Sequence, residues 1–164
     1  MTTPTARDQE KAFAETVRNS PEFVHWILDR TKFKGLDVEL ILARSDNPWY
    51  QSRRTGRQSE TDILLVFQIK GTTQRFALHI ENKKLADKFG PDQPQLYHER
   101  AADWANTPKW GSYMDYQCLL VAPQAFIIKY RSQAEVFHAC IAHEELSRFI
   151  PEFSPVRVEI KVVT

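Results

Sequence analysis

The sequence lacks the features that mark several large classes of protein. Its two cysteines, Cys118 and Cys140, do not have the CxxC spacing of common zinc sites, so neither a zinc centre nor a disulfide framework is predicted. It contains no apolar run of the roughly 20 residues that cross a bilayer. The polar residues 1–9 are not followed by the apolar stretch of a signal peptide. We therefore expect a cytoplasmic protein that makes no contact with membranes.

A basic excess is also missing. The chain has 22 Lys and Arg against 21 Asp and Glu, a net charge of +1, whereas nucleic-acid-binding domains are usually strongly basic. The net charge can nevertheless hide a local basic cluster, because carboxylates that surround a metal offset the positive charges in the sum. Arg53, Arg54 and Arg57 form such a cluster. They indicate either a solvated loop or a loop that contacts the phosphates of a nucleic acid.

The chain is predicted to form one domain over residues 1–164. It has no internal repeat, no low-complexity tract and no linker rich in proline or glycine. Its 42% hydrophobic and 26% charged residues are typical of globular proteins. A length of 164 residues is close to the most common domain size and is enough for a substantial core.

The N-terminal half alternates between helical and strand periodicity. A helix is predicted over 6–18 and a second one after Ser20, a good N-cap that is followed by Pro21 at the first helical position. Strands are predicted over 36–44, 62–69 and 75–83, and the short turn at 70–73 makes the last two an antiparallel hairpin. In the first strand, one face should carry Val38, Leu40 and Leu42, and the other should carry Glu39 and Ile41.

The second half is predicted to add helices and further strands. A helix follows Pro91 and Asp92, a buried strand covers 116–122, and 156–163 alternates as a terminal strand. Residues 135–142 fit either a strand or a helix, and 143–150 are predicted to be helical. The order α-β-β-β-α-β indicates an α/β or α+β sandwich, with a mixed central sheet flanked by helices.

Three residues of the hairpin are candidates for a metal site. Glu81 and Lys83 are two residues apart on one strand, so their side chains share a face. Asp62 begins the neighbouring strand, and the short turn brings it close to Glu81. Two carboxylates beside a lysine would repel each other and shift their pKa values. A Mg²⁺ or Mn²⁺ ion between them resolves this, because it prefers oxygen ligands and keeps positions open for water and phosphate.

This pattern resembles a known family. Asp62, then Ile80-Glu81-Asn82-Lys83 across a hairpin, is similar to the PD-(D/E)xK nuclease superfamily. The segment Gln93-Pro94-Gln95-Leu96-Tyr97 resembles the QxxxY motif of its RecB-like, phage-exonuclease-like branch, and small bacterial proteins of that kind are also similar. The motifs cover 62–100 and a compatible topology covers 6–122. Thr61 departs from the family pattern, which often has proline there.

The resemblance implies a fold and a metal site. It implies a restriction-endonuclease-like core of order αβββαβ. Asp62 and Glu81 would hold the Mg²⁺ or Mn²⁺, with the backbone carbonyl of Asn82 as a further ligand. The family often adds a glutamate from its first helix, and Glu10 fits that position better than Glu15, because it shares a face with the apolar residues of the helix.

The resemblance also implies an activity. Lys83, expected to be exposed at its strand end, would orient the attacking water. Gln93 would hold the nucleotide near the metal, and Tyr97 would brace the lysine or a phosphate oxygen. The expected function is Mg²⁺-dependent hydrolysis of phosphodiester bonds in DNA; RNA as a substrate and a homodimeric assembly are left open.

Other interpretations of the same residues remain. The chain could be a nuclease-fold module that binds nucleic acid or a protein partner without turnover, or a binding domain in which Asp62, Glu81 and Lys83 are structural. Further residues have both a chemical and a structural interpretation. His79 could lie near the metal or be a satisfied core histidine, and Glu60 could belong to the acidic cluster or to a loop. A base-stacking platform and core packing are the two interpretations of the aromatic residues Trp104, Trp110, Tyr113 and Tyr116. His138 and His143 have no spacing that indicates chemistry.

The arginine cluster gives a first prediction. Replacing Arg53, Arg54 and Arg57 with alanine should weaken DNA binding and flatten its dependence on salt, because fewer counterions are released. Each lost phosphate contact should reduce the slope of log K against log salt by about 0.9 for duplex and about 0.7 for single-stranded DNA. Fluorescence anisotropy over a salt series measures the slope. An unchanged slope would assign the cluster to a solvated loop.

Overall fold

The computed structural model describes residues 2–155; the terminal strand predicted at 156–163 lies outside them. Within 2–155, no helix is both long enough and apolar enough to cross a membrane. The α-helices are α1 (Ala6–Asn19), α2 (Pro21–Leu28), α3 (Gln93–Trp104), α4 (Gln124–Lys129), α5 (Arg131–Ala134) and α6 (His143–Leu146). The strands are β1 (Val38–Arg44), β2 (Trp49–Gln51), β3 (Gln58–Glu60), β4 (Ile63–Ile69), β5 (Arg75–Asn82), β6 (Asp115–Ala122) and β7 (Ala139–Ala142), and short 3₁₀ helices cover Pro108–Trp110 and Pro151–Phe153.

A five-stranded mixed sheet forms the centre of the fold. Its strand order is β1-β4-β5-β6-β7. The pairs β1–β4 and β4–β5 are antiparallel, whereas β5–β6 and β6–β7 are parallel. The predicted α+β fold with a mixed central sheet flanked by helices is thus confirmed at this level. The strand β5 has an antiparallel neighbour on one side and a parallel neighbour on the other.

The first two helices begin where their capping residues predict. Thr5 and Asp8 form a capping box at α1, with hydrogen bonds of 2.9 and 3.1 Å that satisfy two free backbone N–H groups. The Ser20 hydroxyl accepts a hydrogen bond from the Phe23 N–H, and Pro21 occupies the first turn of α2. Local sequence therefore fixes where α1 ends and α2 starts.

The predicted faces of the first strand are wrong at one end. The pairing of β1 with β4 shifts register between Leu40 and Leu42. Leu40 packs with Val38 on the face covered by α1 and α2. Leu42 instead packs with Ile41 on the opposite face. An inserted residue of this kind reverses the alternation of side chains, which a strict period of two cannot anticipate.

The aromatic residues around α3 form core, so the base-stacking interpretation is wrong for most of them. Trp104, Trp110 and Tyr113 are all buried in one cluster with Leu64 and Val66. The two tryptophan rings stack with their centroids 4.1 Å apart. Their exposed area is too small to receive a base. This cluster covers the face of the sheet opposite α1 and α2.

A small hairpin, β2 with β3, was not predicted. Each of its strands has only three residues, too few to show an alternating pattern. It carries the arginine cluster in its loop and docks onto α3 through a Tyr50–Asp103 hydrogen bond and bonds of 2.8 Å from the Ser52 hydroxyl to Glu99. The C-terminal predictions also change in extent, since 135–142 provides only β7 and the helix at 143–150 is limited to α6.

Gly111 provides a test of packing against the sheet. Its φ of +86° favours glycine, and a Cβ there would lie 3.1 Å from a methyl group of Val66. Gly111→Ala should therefore lose about 1–2 kcal/mol of unfolding free energy from the backbone and about 1–3 kcal/mol more from overpacking. Gly71→Ala is the control, because its φ is +77° but no atom lies within 4 Å. Equal losses in urea denaturation would contradict the predicted clash.

Candidate functional site

Three of the predicted catalytic residues, Asp62, Glu81 and Gln93, line a cleft of about 480 Å³, and Lys83 and Tyr97 lie buried next to them. One wall is residues 57–60 of the small hairpin, and the other is residues 90–96 at the start of α3. Asp62 and Glu81 form the floor. Asp62 immediately precedes β4, and Glu81 lies near the end of β5, so the antiparallel pairing of these two strands brings the carboxylates to one edge of the sheet.

The Asp62 carboxylate is held by two neighbours. Its Oδ2 accepts a hydrogen bond of 2.8 Å from the backbone N–H of Asn82, and its Oδ1 accepts one of 3.1 Å from the side-chain amide of Asn47. Its own backbone N–H donates to the Tyr97 hydroxyl at 3.2 Å. Both the main chain and the side chain of Asp62 are therefore fixed before any ligand arrives.

Glu81, Lys83 and Gln93 form a closed polar group. The Lys83 Nζ lies 3.3 Å from Glu81 Oε1 and donates 2.9 Å hydrogen bonds to Gln93 Oε1 and the Lys88 carbonyl. The Gln93 Nε2 donates to Glu81 Oε1 at 3.0 Å. Lys83 is only 8% exposed, so the expectation of an exposed lysine is wrong. The start of α3 covers it, because Gln93 reaches back over the end of β5.

Tyr97 lies one helical turn after Gln93 and is fully buried. Its hydroxyl donates to the Ile80 carbonyl at 3.3 Å and accepts from the Asp62 N–H. It therefore braces the main chain on which Asp62 and Glu81 sit. Lys83 is not among its described hydrogen-bond partners, and a contact with a phosphate oxygen stays a prediction. Arg100, one turn further along α3, is also buried and places its guanidinium 4.2 Å from the centre of the Tyr97 ring.

Glu10 reaches the same site from α1. It is 4% exposed, and its Oε2 accepts a hydrogen bond of 3.1 Å from the side-chain amide of Asn82. Glu15 lies exposed on the surface. The Asn82 side chain also binds Gln9 at 3.1 Å and accepts a 2.9 Å bond from His143. Asn82 thus joins α1, α6 and the end of β5, a role that its position in the ExK motif did not reveal.

The electrostatics of the floor are dominated by negative charge. Burial, and then repulsion by Glu81 and Glu10, raise the pKa of Asp62 well above its usual range. Burial also raises the pKa of Glu81, although the Lys83 ammonium opposes the shift. Burial and the charge of Glu81 raise the pKa of Glu10 to about 7. The three carboxylates thus repel one another, and only Glu81 has an ammonium partner among the described ion pairs. A divalent cation or protons would relieve the repulsion.

The ligand types at the floor fit a hard cation. Asp62, Glu81 and Glu10 offer carboxylate oxygens, and Mg²⁺ and Mn²⁺ prefer oxygen ligands. A further oxygen comes from Asn47, whose Oδ1 is buried without a hydrogen-bond partner among residues 2–155. Such an orphaned acceptor is rare in proteins and is consistent with a missing ligand. Asn47 was not predicted, since nothing in its local sequence links it to Asp62.

The remaining candidates take different positions. Arg57 lines the cleft and pairs with Asp92 at 3.0 Å, whereas Arg53 and Arg54 are exposed in the turn of the small hairpin. Glu60 is exposed on the wall of the cleft. His79 is fully buried, with bonds of 3.0 Å to the hydroxyls of Thr61 and Tyr113, and burial lowers its pKa well below the usual range. The interpretation of His79 as a satisfied core histidine is therefore confirmed.

Comparisons of the chain with protein-family models, with curated proteins and with solved structures found no match. The case for a function therefore rests on the residues of the cleft and on their geometry.

The raised pKa of Glu10 predicts how stability depends on pH. The pKa of Glu10 rises from about 4.5 in the unfolded chain to about 7 in the folded one. Between these two pH values the folded state binds more protons than the unfolded state, so the unfolding free energy falls as the pH rises. Without metal, the wild-type protein should lose on the order of 1–3 kcal/mol of unfolding free energy as the pH rises through this window. Glu10→Gln should remove that loss. Thermal unfolding in EDTA from pH 4.5 to 8 measures it.

Glu15→Gln is the matched control for this experiment, because Glu15 is an exposed glutamate on the same helix. It should leave the pH dependence of the wild-type protein unchanged. If Glu10→Gln and Glu15→Gln gave the same curve as the wild type, the repulsion at the floor of the cleft would be contradicted.

Proposed function

We propose that this protein is a Mg²⁺-dependent nuclease of the PD-(D/E)xK type, with a restriction-endonuclease-like core, that hydrolyses phosphodiester bonds in DNA. The observation that carries the proposal is the position of Asp62 and Glu81 on the floor of an open cleft, with Glu10 and Lys83 buried next to them. A structural role alone would not require three carboxylates beside one ammonium group, because the repulsion among them destabilises the fold.

The acidic residues would act as metal ligands. Asp62, Glu81 and Glu10 would hold the ion, and the orphaned amide oxygen of Asn47 is a candidate for a further position. A bound Mg²⁺ would supply polarisation of the phosphate and a lowered pKa for a water molecule. Hydrogen bonds from Asn82 already orient Asp62 and Glu10, so little reorganisation is needed on binding.

Lys83 would act on the reacting groups. Its ammonium is fixed by Gln93 and the Lys88 carbonyl, next to the Glu81 carboxylate. A fixed cation in a buried position stabilises charge that develops on the phosphorane more strongly than a mobile one in water. The same ammonium would orient the attacking water. Gln93 would act as a positioning residue, because it binds Lys83 and Glu81 at once.

The walls of the cleft suit a polyanionic substrate. Arg57 stands on one wall, with its guanidinium close enough to the opposite wall to pair with Asp92. In the proposed complex, the Arg57 guanidinium would exchange Asp92 for a phosphate of the substrate. Arg53 and Arg54, exposed in the same turn, would extend the positive surface beyond the cleft.

DNA cleavage tests the proposal. Purified protein incubated with circular and linear DNA should cleave in Mg²⁺ or Mn²⁺ and stop in EDTA. Lys83→Ala should lower the rate by about 10²–10³, because a preorganised donor to the transition state is lost. Lys88→Ala is the matched control, since Lys88 offers only its backbone carbonyl to the site. Cleavage in EDTA, or full activity of a folded Lys83→Ala protein, would overturn the proposal.

Metal binding separates a nuclease from a structural cluster. In calorimetry with Mn²⁺, Asp62→Asn and Glu81→Gln should weaken affinity, because each removes an anionic ligand. Lys83→Ala should keep or slightly raise the affinity, since it removes a positive neighbour. Equal loss in all three variants would mean that Lys83 holds the fold rather than the chemistry. Mn²⁺ binding without DNA cleavage would indicate a catalytically silent module that binds nucleic acid or a protein partner.

A further inference from the structure

A second group of side chains of types that bind metals lies outside the lining of the carboxylate cleft. It consists of His98 on α3, Cys118 on β6 and His138 immediately before β7, and we call it the His–Cys–His cluster. One ligand atom from each residue lies within 4.8 Å of the other two. The two imidazole rings have centroids 4.8 Å apart. Three separate elements provide these residues, so the spacing of the cysteines along the chain could not reveal them.

We propose that the His–Cys–His cluster binds a zinc ion. Two imidazoles and a thiolate are the donors that zinc prefers, and Mg²⁺ does not select them. In a tetrahedral zinc site the ligand atoms lie about 3.3–3.6 Å from one another, given Zn–N near 2.0–2.1 Å and Zn–S near 2.3 Å. The ligand atoms, now within 4.8 Å of one another, must therefore approach by up to about 1.2–1.5 Å. His138 is exposed, so its ring can turn toward the other two ligands.

His98 is already oriented for this role. Its Nε2 lies 2.6 Å from the Val136 carbonyl oxygen. Because a carbonyl can only accept, Nε2 carries the hydrogen and the lone pair of the neutral ring is on Nδ1. Histidines that bind metals usually donate their other ring N–H to a carbonyl or a carboxylate, which fixes the ring and its tautomer.

Cys118 and His138 must exchange existing interactions. The Cys118 backbone N–H donates to His138 Nδ1 at 2.8 Å, and the imidazole gives up this bond when either of its nitrogens binds the ion. Burial raises the pKa of the Cys118 thiol to about 12, so it is protonated at neutral pH. The ion would replace the thiol proton, which leaves to solvent as the metal–sulfur bond forms. A water at the exposed His138 side would complete four ligands.

The zinc site would stabilise the frame of the cleft without taking part in its chemistry. His98 follows Tyr97 on α3, the helix that also carries Gln93. A bond from zinc to His98, Cys118 and His138 would tie this helix to β6 and to the segment before β7. The inference does not depend on the nuclease proposal, since the two sites use different side chains and different classes of metal.

Cobalt(II) substitution tests the site, because a Co²⁺–thiolate bond gives a charge-transfer absorption. Under reducing conditions the full chain should bind one equivalent of Co²⁺ with this absorption, and Zn²⁺ should displace it. Cys118→Ser should abolish the absorption, whereas Cys140→Ser should keep it, since Cys140 is a free cysteine outside the cluster. His138→Ala should weaken binding by at least about 10-fold, and the exposed His25→Ala should not.

Three outcomes would overturn the inference: no thiolate absorption in the wild-type protein, an absorption that survives in Cys118→Ser, or one that disappears in Cys140→Ser. If Cys118→Ser fails to fold, as judged by circular dichroism, the Co²⁺ affinity of His138→Ala is the deciding measurement, because His138 is exposed. An unchanged affinity in that variant refutes the site. Asp62→Asn should retain the absorption. Its loss in that variant would contradict a site that is independent of the carboxylate cleft, because the residues that line the cleft include no thiol.

Discussion

The organisation of this protein depends on an excess of buried negative charge at the end of β5. Asp62, Glu81 and Glu10 come from three different parts of the chain, and among the described ion pairs only Glu81 is paired with an ammonium group, that of Lys83. Isolated carboxylates are strongly disfavoured away from water. The fold brings them together nonetheless, and the surrounding elements are arranged to hold them. Burying several carboxylates at one point opposes folding, and a divalent cation bound there, as proposed above, would offset that cost.

A network of neutral polar groups makes this charge tolerable. Asn82 is its centre, because its backbone binds Asp62 and its side chain binds Glu10, Gln9 and His143. The Tyr97 hydroxyl joins the main chain at the start of β4 to that at the end of β5. Nearly every polar group here has a partner, as buried groups require. The carboxylates therefore sit in a rigid setting rather than in a flexible loop.

The parts of the site that could be predicted are those encoded locally. The alternation of β5 and its short turn to β4 place Asp62, Glu81 and Lys83 at one edge, and helical spacing places Gln93 and Tyr97 one turn apart. The parts that were missed depend on long-range contacts. Asn47 has a left-handed backbone conformation in its loop and binds Asp62 from there. His143 binds Asn82, which is 61 residues away in the chain. Neither contact leaves a periodic signal in the sequence.

Errors in the fold have the same origin. The bulge in β1 reverses which face Leu42 occupies, and it is set by pairing with β4 rather than by local preference. The strands β2 and β3 are stable because α3 supports them, as isolated two-stranded hairpins are only marginally stable in water. The buried position of Lys83 follows from the return of Gln93 over β5, which the sequence of the strand alone could not indicate.

The attachment of the small hairpin has a consequence for how the cleft can change. Tyr50, Ser52 and Arg57 all bind residues of α3 or its N-cap, so both walls are carried by one helix while the sheet carries the floor. The position of α3 relative to the sheet therefore sets the distance between the walls and the floor. Loop insertions at residues 53–56 would alter the reach of one wall while leaving Asp62, Glu81 and Lys83 untouched. Under the proposed function, the choice of substrate could therefore change through this one exposed turn.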